Sequence, residues 1–272
     1  MQKIDFDGFK IAYDINGEGH PLLLIAPLGY CSWFWDKIIP GLAEHFQVIT
    51  FDNRGTGSTD KPEGPYTVPM MAADTAGLLD ELGISQAYVY GHSLGGFIAQ
   101  ELTISRPDLV SKLVLGGTNH GGQKVIPITP EALEAMTKRE GNLIEVVKRG
   151  IAIAAAPDCE NSKPGLVHEL IDYRLTNPVP PAQYQAQVMA GAGMANFSEK
   201  EVQERMAAIQ IPVLIMFGEY DRVVPPGNAE LMAEKLPNAK IKILPDTGHI
   251  FPVEDPEATV EVIVEFLGGN GP

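Results

Sequence analysis

At roughly 150 residues per domain, a 272-residue chain holds one large α/β domain or two small ones. Its 44% hydrophobic and 20% charged content is ordinary for a globular protein, which excludes wholesale disorder and fibrous repeats. A formal charge of -15 repels phosphates and no basic stripe interrupts it, so nucleic acid and anionic membrane surfaces are excluded as partners while a small neutral substrate is not.

In chain order, residues 3–14 alternate apolar and polar around Asp7-Gly8, a hairpin signal because that turn needs a positive φ. Short apolar runs follow at Leu22–Ile25, Val48–Phe51, Ala87–Tyr90, Leu113–Leu115, Val213–Phe217 and Ile241–Leu244, suited to strands buried on both faces. Helical patterns lie between most of them, at 68–82, 95–105, 228–236 and 256–267. This alternation predicts an α/β fold with a mostly parallel, doubly wound sheet entered by an antiparallel N-terminal hairpin.

One connection breaks the rhythm, because about ninety residues separate the strands at 113–115 and 213–217, far beyond an ordinary αβ loop. Helical patterns at 131–140, 143–156, 165–176, 181–192 and 198–209, the last opened by Ser198 and Glu201 at capping-box spacing, fill it. The predicted organisation is a core of residues 1–120 and 211–272 interrupted by a helical lid over 121–210. From 121 to 211 there are 9 basic and 11 acidic residues, so the acidity belongs to the core. Two cysteines, Cys31 and Cys159, make no disulfide framework and no metal spacing. The start lacks the apolar core of a signal peptide and no apolar run reaches the ~20 residues of a membrane span, so a cytoplasmic protein is expected. Self-association into a homo-oligomer is left open.

The chemistry centres on Gly91-His92-Ser93-Leu94-Gly95-Gly96, between a predicted strand and a predicted helix. In a G-x-S-x-G elbow the chain turns so sharply that neighbouring side chains would collide, and the serine is left at a helix N-terminus. A serine needs a base, usually an imidazole held by a carboxylate. Among six histidines, His249 follows the last strand and can return to the sheet's C-terminal edge; His120, behind another strand, could line a pocket. His92 adjoins the serine and is expected to pack; His20, His45 and His168 occupy ordinary turn or helix positions. Asp221, just beyond the strand at 213–217, is the favoured carboxylate, with Glu219 and Asp246 as rivals.

The order Ser93, Asp221, His249, the elbow, and Asp52-Asn53-Arg54-Gly55-Thr56-Gly57-Ser58, similar to a D-x-R-G-x-G-x-S loop, resemble the α/β-hydrolase superfamily over about two-thirds of the chain. Asn177 to Tyr184 also resembles a stretch of its smaller ester and enol-lactone hydrolases. The resemblance implies Ser93 as nucleophile, His249 as general base, Asp221 as its orienter, and the backbone N–H groups of Leu94 and Leu28 as the oxyanion hole. Leu28 stands in Ala26-Pro27-Leu28-Gly29-Tyr30, where a His-Gly pair is usual in the family. Tyr30, Trp33 and His120 are expected at the substrate pocket; the apolar cluster Tyr30, Trp33, Phe34 and Trp35 suits packing of the following helix against the sheet equally. Arg149 and Arg174 could hold a substrate carboxylate or be ion-paired. The expected activity is hydrolysis of a small, largely apolar carboxylic ester or lactone through an acyl-enzyme, with no metal or organic cofactor. The alternatives are C–C bond hydrolysis, aminopeptidase or acyltransferase chemistry with the same triad, and a non-catalytic ligand receptor. Aspartate-based dehalogenase and epoxide hydrolase chemistry is excluded by the serine at the elbow.

Overall fold

In the computed structural model, residues 1–6, 8–138 and 140–268 are described. Eight strands form one sheet: β1 (Gln2–Phe6), β2 (Phe9–Asn16), β3 (Pro21–Ile25), β4 (Gln47–Phe51), β5 (Ala87–His92), β6 (Val110–Gly116), β7 (Val213–Gly218) and β8 (Ala239–Leu244). Their spatial order is β1-β2-β4-β3-β5-β6-β7-β8. β1 and β2 pair antiparallel, as do β2 and β4, and every later pair is parallel. Phe6 pairs with Phe9 across the first turn, where Gly8 has φ +76°; Asp7 of the expected hairpin turn lies outside the described residues.

The apolar runs become central strands because both sheet faces are covered. Leu23, Ile25, Val89, Leu113 and Ile215 face one core with the helices Val68–Glu81 and Leu94–Ser105, while Leu22, Leu24, Tyr90 and Val114 face the other. Outer β8 instead carries exposed Lys240 and Lys242, charges that blunt an open sheet edge. Thr67 caps Val68–Glu81 through the N–H of Met70, with Pro69 in the first turn, a placement its missing N–H permits.

Between β6 and β7 the chain forms helices Pro130–Thr137, Leu143–Ala154, Cys159–Ser162, Pro164–Thr176, Pro181–Gly193 and Glu199–Ala208. The Ser198/Glu201 capping box is complete, with backbone and side-chain bonds in both directions. The helix expected over 131–140 stops at Thr137; Arg139 lies outside the described residues. Cys159–Ser162, Ile39–Ala43 and Phe251–Glu254 were not expected, being too short to show periodicity. The insert lies against the C-terminal edge of the sheet, where Ile250 N–H donates to Ala154 O and Gly29 N–H to Gln187 Oε1. Among the described residues no helix is long and apolar enough to cross a membrane.

Candidate active site

Ser93 sits between β5 and the helix Leu94–Ser105 at φ +55°, ψ -116°, a conformation side chains avoid and one that costs about 1–3 kcal/mol. The glycines around it are required by close approach. A Cβ on Gly91 would lie 2.2 Å from Gly95 O, one on Gly95 2.1 Å from Ile25 O, and one on Gly96 2.5 Å from the Thr118 side chain. Strand, turn and helix can cross this tightly only without those side chains.

Asp221 and His249 reach the same edge from the loops after β7 and β8. His249 Nδ1 lies 2.7 Å from Asp221 Oδ2, and both residues are buried. The other carboxylate oxygen, Oδ1, accepts the N–H groups of Val223 (2.9 Å) and Val224 (2.8 Å). Asp221 is thus fixed before it meets the imidazole, and with Nδ1–H donating, Nε2 keeps its lone pair. Its rival Glu219 is exposed and accepts from Asp246 N–H; Asp246 is likewise exposed. Ser93 and His249 line one cavity, and Ser93 Oγ has no hydrogen-bond partner among the described residues.

His92, at the centre of the elbow, points into the core. Its Nε2 lies 2.7 Å from the backbone oxygen of His249 and its Nδ1 3.1 Å from Tyr90 Oη. A carbonyl only accepts, so Nε2 carries the proton and Tyr90 donates to Nδ1. Complete burial holds His92 well below the usual imidazole range, which keeps it neutral in this relay. On the other side of the loop, Glu254 accepts the N–H groups of Gly248 (2.8 Å) and Ala156 (2.7 Å), joining the histidine loop to the insert. Burial raises the Glu254 pKa against the opposing effect of those bonds.

The loop after β3 is held from three sides. Asn53 Nδ2 donates to Ala26 O at 3.1 Å. Gln187, fully buried in the insert, accepts Gly29 N–H at 2.9 Å and donates to Arg54 O at 3.0 Å. Arg174 donates to Gly29 O and lies 4.3 Å above the Tyr30 ring. Asp52 closes the neighbouring loop, accepting from Ser32 N–H and Ser58 N–H; a Cβ on Gly57 would lie 2.0 Å from its carboxylate. Leu28 N–H has no protein acceptor among the described residues, and Leu94 N–H opens a helix, where no intrahelical partner exists. Leu28 and Ser93 line both cavities of the site, and Leu94 lines the larger.

Tyr30 lines the smaller cavity, whereas Trp33 and His120, expected at the pocket, line neither of the two cavities that hold Ser93. Trp33 stacks on Tyr173, with ring centroids 4.8 Å apart and planes 3° from parallel, while Phe34 and Trp35 fill the core. His120 is 1% exposed and turns back to donate to Gly121 O at 2.6 Å, so Asn119 and Gly121 line the cavity instead. Arg149 binds the carbonyls of Lys138 and Glu140. Met194 lines the larger cavity, whereas Met189 is exposed. Gln187 and Glu254 were missed by sequence reasoning. A polar residue among the apolar positions of an insert helix was the only signal for Gln187. Among the described residues no cluster of His, Cys, Asp or Glu could hold a metal ion.

The family model of the alpha/beta hydrolase fold matches residues 20–256. The chain belongs to the α/β-hydrolase family. It is 32% identical over 269 residues to a Mycobacterium tuberculosis protein named "Putative non-heme bromoperoxidase BpoC", covering 95% of this chain and 97% of that one. It is 30% identical over 267 residues to the Azorhizobium caulinodans "Putative carbamate hydrolase RutD", covering 94% of each. Among solved structures, the enol-lactonase from Burkholderia xenovorans LB400 superposes with a TM-score of 0.81 at 25% identity, over 98% of this α/β-hydrolase and 100% of that chain.

Proposed function

We propose that this α/β-hydrolase cleaves a carboxylic ester or lactone of a small, largely apolar substrate through a Ser93 acyl-enzyme. One arrangement carries the proposal: Ser93, strained at the head of a helix, faces the same cavity as His249, whose Nδ1 is tied to a prefixed Asp221. Ser93 Oγ attacks the substrate carbonyl while its proton passes to His249 Nε2. The oxyanion forms at the N–H groups of Leu28 and Leu94, a contact worth about 2.7–4 kcal/mol per donor in such sites. Collapse breaks the acyl C–O bond and His249 returns the proton to the leaving oxygen. Water, deprotonated by His249, then attacks the acyl carbon and frees Ser93 and the acid.

Helices 121–210 act as a lid over the core of residues 1–120 and 211–272, since Gln187, Arg174 and Ala154 contact the loops that hold these groups. Ester and lactone chemistry is favoured over the other uses of a triad by the apolar walls around Ser93 and by similarity to the enol-lactonase. A cytosolic setting fits the two cysteines, both unpaired and buried, with the Cys31 thiol pushed up to about 12 by burial. The test is product analysis on aliphatic esters, lactones, a carbamate and a diketone, with the wild type and Ser93→Ala. Ester or lactone turnover that disappears with the serine supports the proposal. Turnover of the carbamate or diketone alone refutes it.

A further inference from the structure

The two cavities differ in size and chemistry and meet at Ser93, sharing also Leu28, Met136 and Val223. The smaller has about 70 Å³ of room and the larger about 360 Å³. His249 lines only the smaller cavity and Leu94 only the larger. No charged side chain lines the larger one, whose polar side chains are Ser93 and Asn119; Asn119 Oδ1 is occupied by Gly121 N–H.

Given the acyl-transfer reading above, on which this inference rests, these positions assign the two halves of the substrate. As the acyl C–O bond breaks, the imidazolium must hand its proton to the departing oxygen, so the leaving group lies on the His249 side. The remaining substituent of the acyl carbon is then directed to the opposite side. We propose that the enzyme is selective for a medium-length, uncharged apolar acyl group held in the larger cavity and joined to a small leaving group held in the smaller one.

Methyl octanoate and heptyl acetate are isomers that reverse this arrangement, so acid release from each by the full-length enzyme reads the polarity directly. The expected kcat/KM favours methyl octanoate at least tenfold; an equal or inverted ratio overturns the proposal. Two glycines allow each cavity to be narrowed. A Cβ on Gly191 meets only Leu94 Cδ1, at 3.5 Å, and one on Gly150 meets nothing within 4 Å. Gly191→Leu, which narrows the larger cavity, is expected to lower the ratio about tenfold, and Gly150→Leu, in the smaller, to raise it. Shifts in the opposite directions overturn the assignment. Ser93→Ala separates two failures: hydrolysis surviving in that variant contradicts the serine-hydrolase reading, while serine-dependent hydrolysis with a flat ratio contradicts the polarity alone. Turnover of neither isomer overturns the medium-chain acyl assignment.

Discussion

His92 Nε2 lies 2.7 Å from the backbone oxygen of His249, so the residue beside the proposed nucleophile holds the main chain of the proposed base. Tyr90 Oη, 3.1 Å from Nδ1, completes the chain of bonds. His92→Phe keeps the aromatic volume among Phe34, Trp35 and Phe251 but leaves a buried carbonyl and a buried hydroxyl unpaired. Such a loss costs about 1–3 kcal/mol. The expected result is a lower unfolding midpoint and a roughly tenfold drop in kcat with KM little changed, read by denaturant unfolding and steady-state kinetics. An unchanged kcat would detach this relay from catalysis.

Burial also links His92 to the pH dependence of stability. Its folded pKa is far below 6.5, so as pH falls past 6.5 the unfolded chain takes a proton that the folded protein refuses. Stability from this group is full above 6.5 and falls as pH drops toward the folded pKa, by up to about 1.4 kcal/mol per pH unit. Unfolding free energies measured at pH 7.5, 6.5 and 5.5 should decline most steeply over the last interval, and His92→Phe should flatten that decline. An equal slope in wild type and variant would contradict the assignment.

Both backbone polar groups of Gly29 are held by the insert, its N–H by Gln187 and its C=O by Arg174. The adjacent Leu28 N–H, the proposed oxyanion donor, is carried by that loop. Gln187→Met matches the volume but makes neither hydrogen bond, and is expected to lower kcat ten- to a hundredfold, short of complete loss of an oxyanion donor. Steady-state kinetics on a single ester check it; a rise in KM with kcat preserved would instead make Gln187 a ground-state contact.

Two glycine-to-alanine changes should have opposite signs. Gly95→Ala forces a Cβ to 2.1 Å from Ile25 O, a backbone atom that cannot swing aside, and is expected to destabilise by several kcal/mol or prevent folding. Gly150→Ala, in the interior of Leu143–Ala154 with open space around it, should stabilise by about 0.4–1 kcal/mol. Thermal midpoints of the two proteins decide the comparison.

These residues also show what the sequence made legible. The parallel sheet could be read from its apolar runs, and the elbow from a short glycine-flanked serine pattern set between a strand and a helix. Asp221 and His249 could be placed because each directly follows a strand, and strand ends converge on one edge. Gln187 could not be read, because its partner Gly29 is 158 positions away and a buried glutamine leaves no periodic trace. Trp33 is expected at the pocket from its place beside a loop and His120 from its place after a strand, whereas side-chain direction is set by Tyr173 and by the Gly121 carbonyl. The orientation of a loop side chain follows from such packing and has no signature in local pattern.

The central claim is that Ser93 is an activated nucleophile, and covalent mapping tests it most directly. The folded enzyme is treated with a fluorophosphonate and digested, and the modified peptide is sequenced by mass spectrometry. The account predicts one adduct on Ser93, lost in Ser93→Ala and slowed at least a hundredfold in His249→Ala. No adduct on Ser93 in folded protein, or an adduct that forms equally fast without His249, would contradict it.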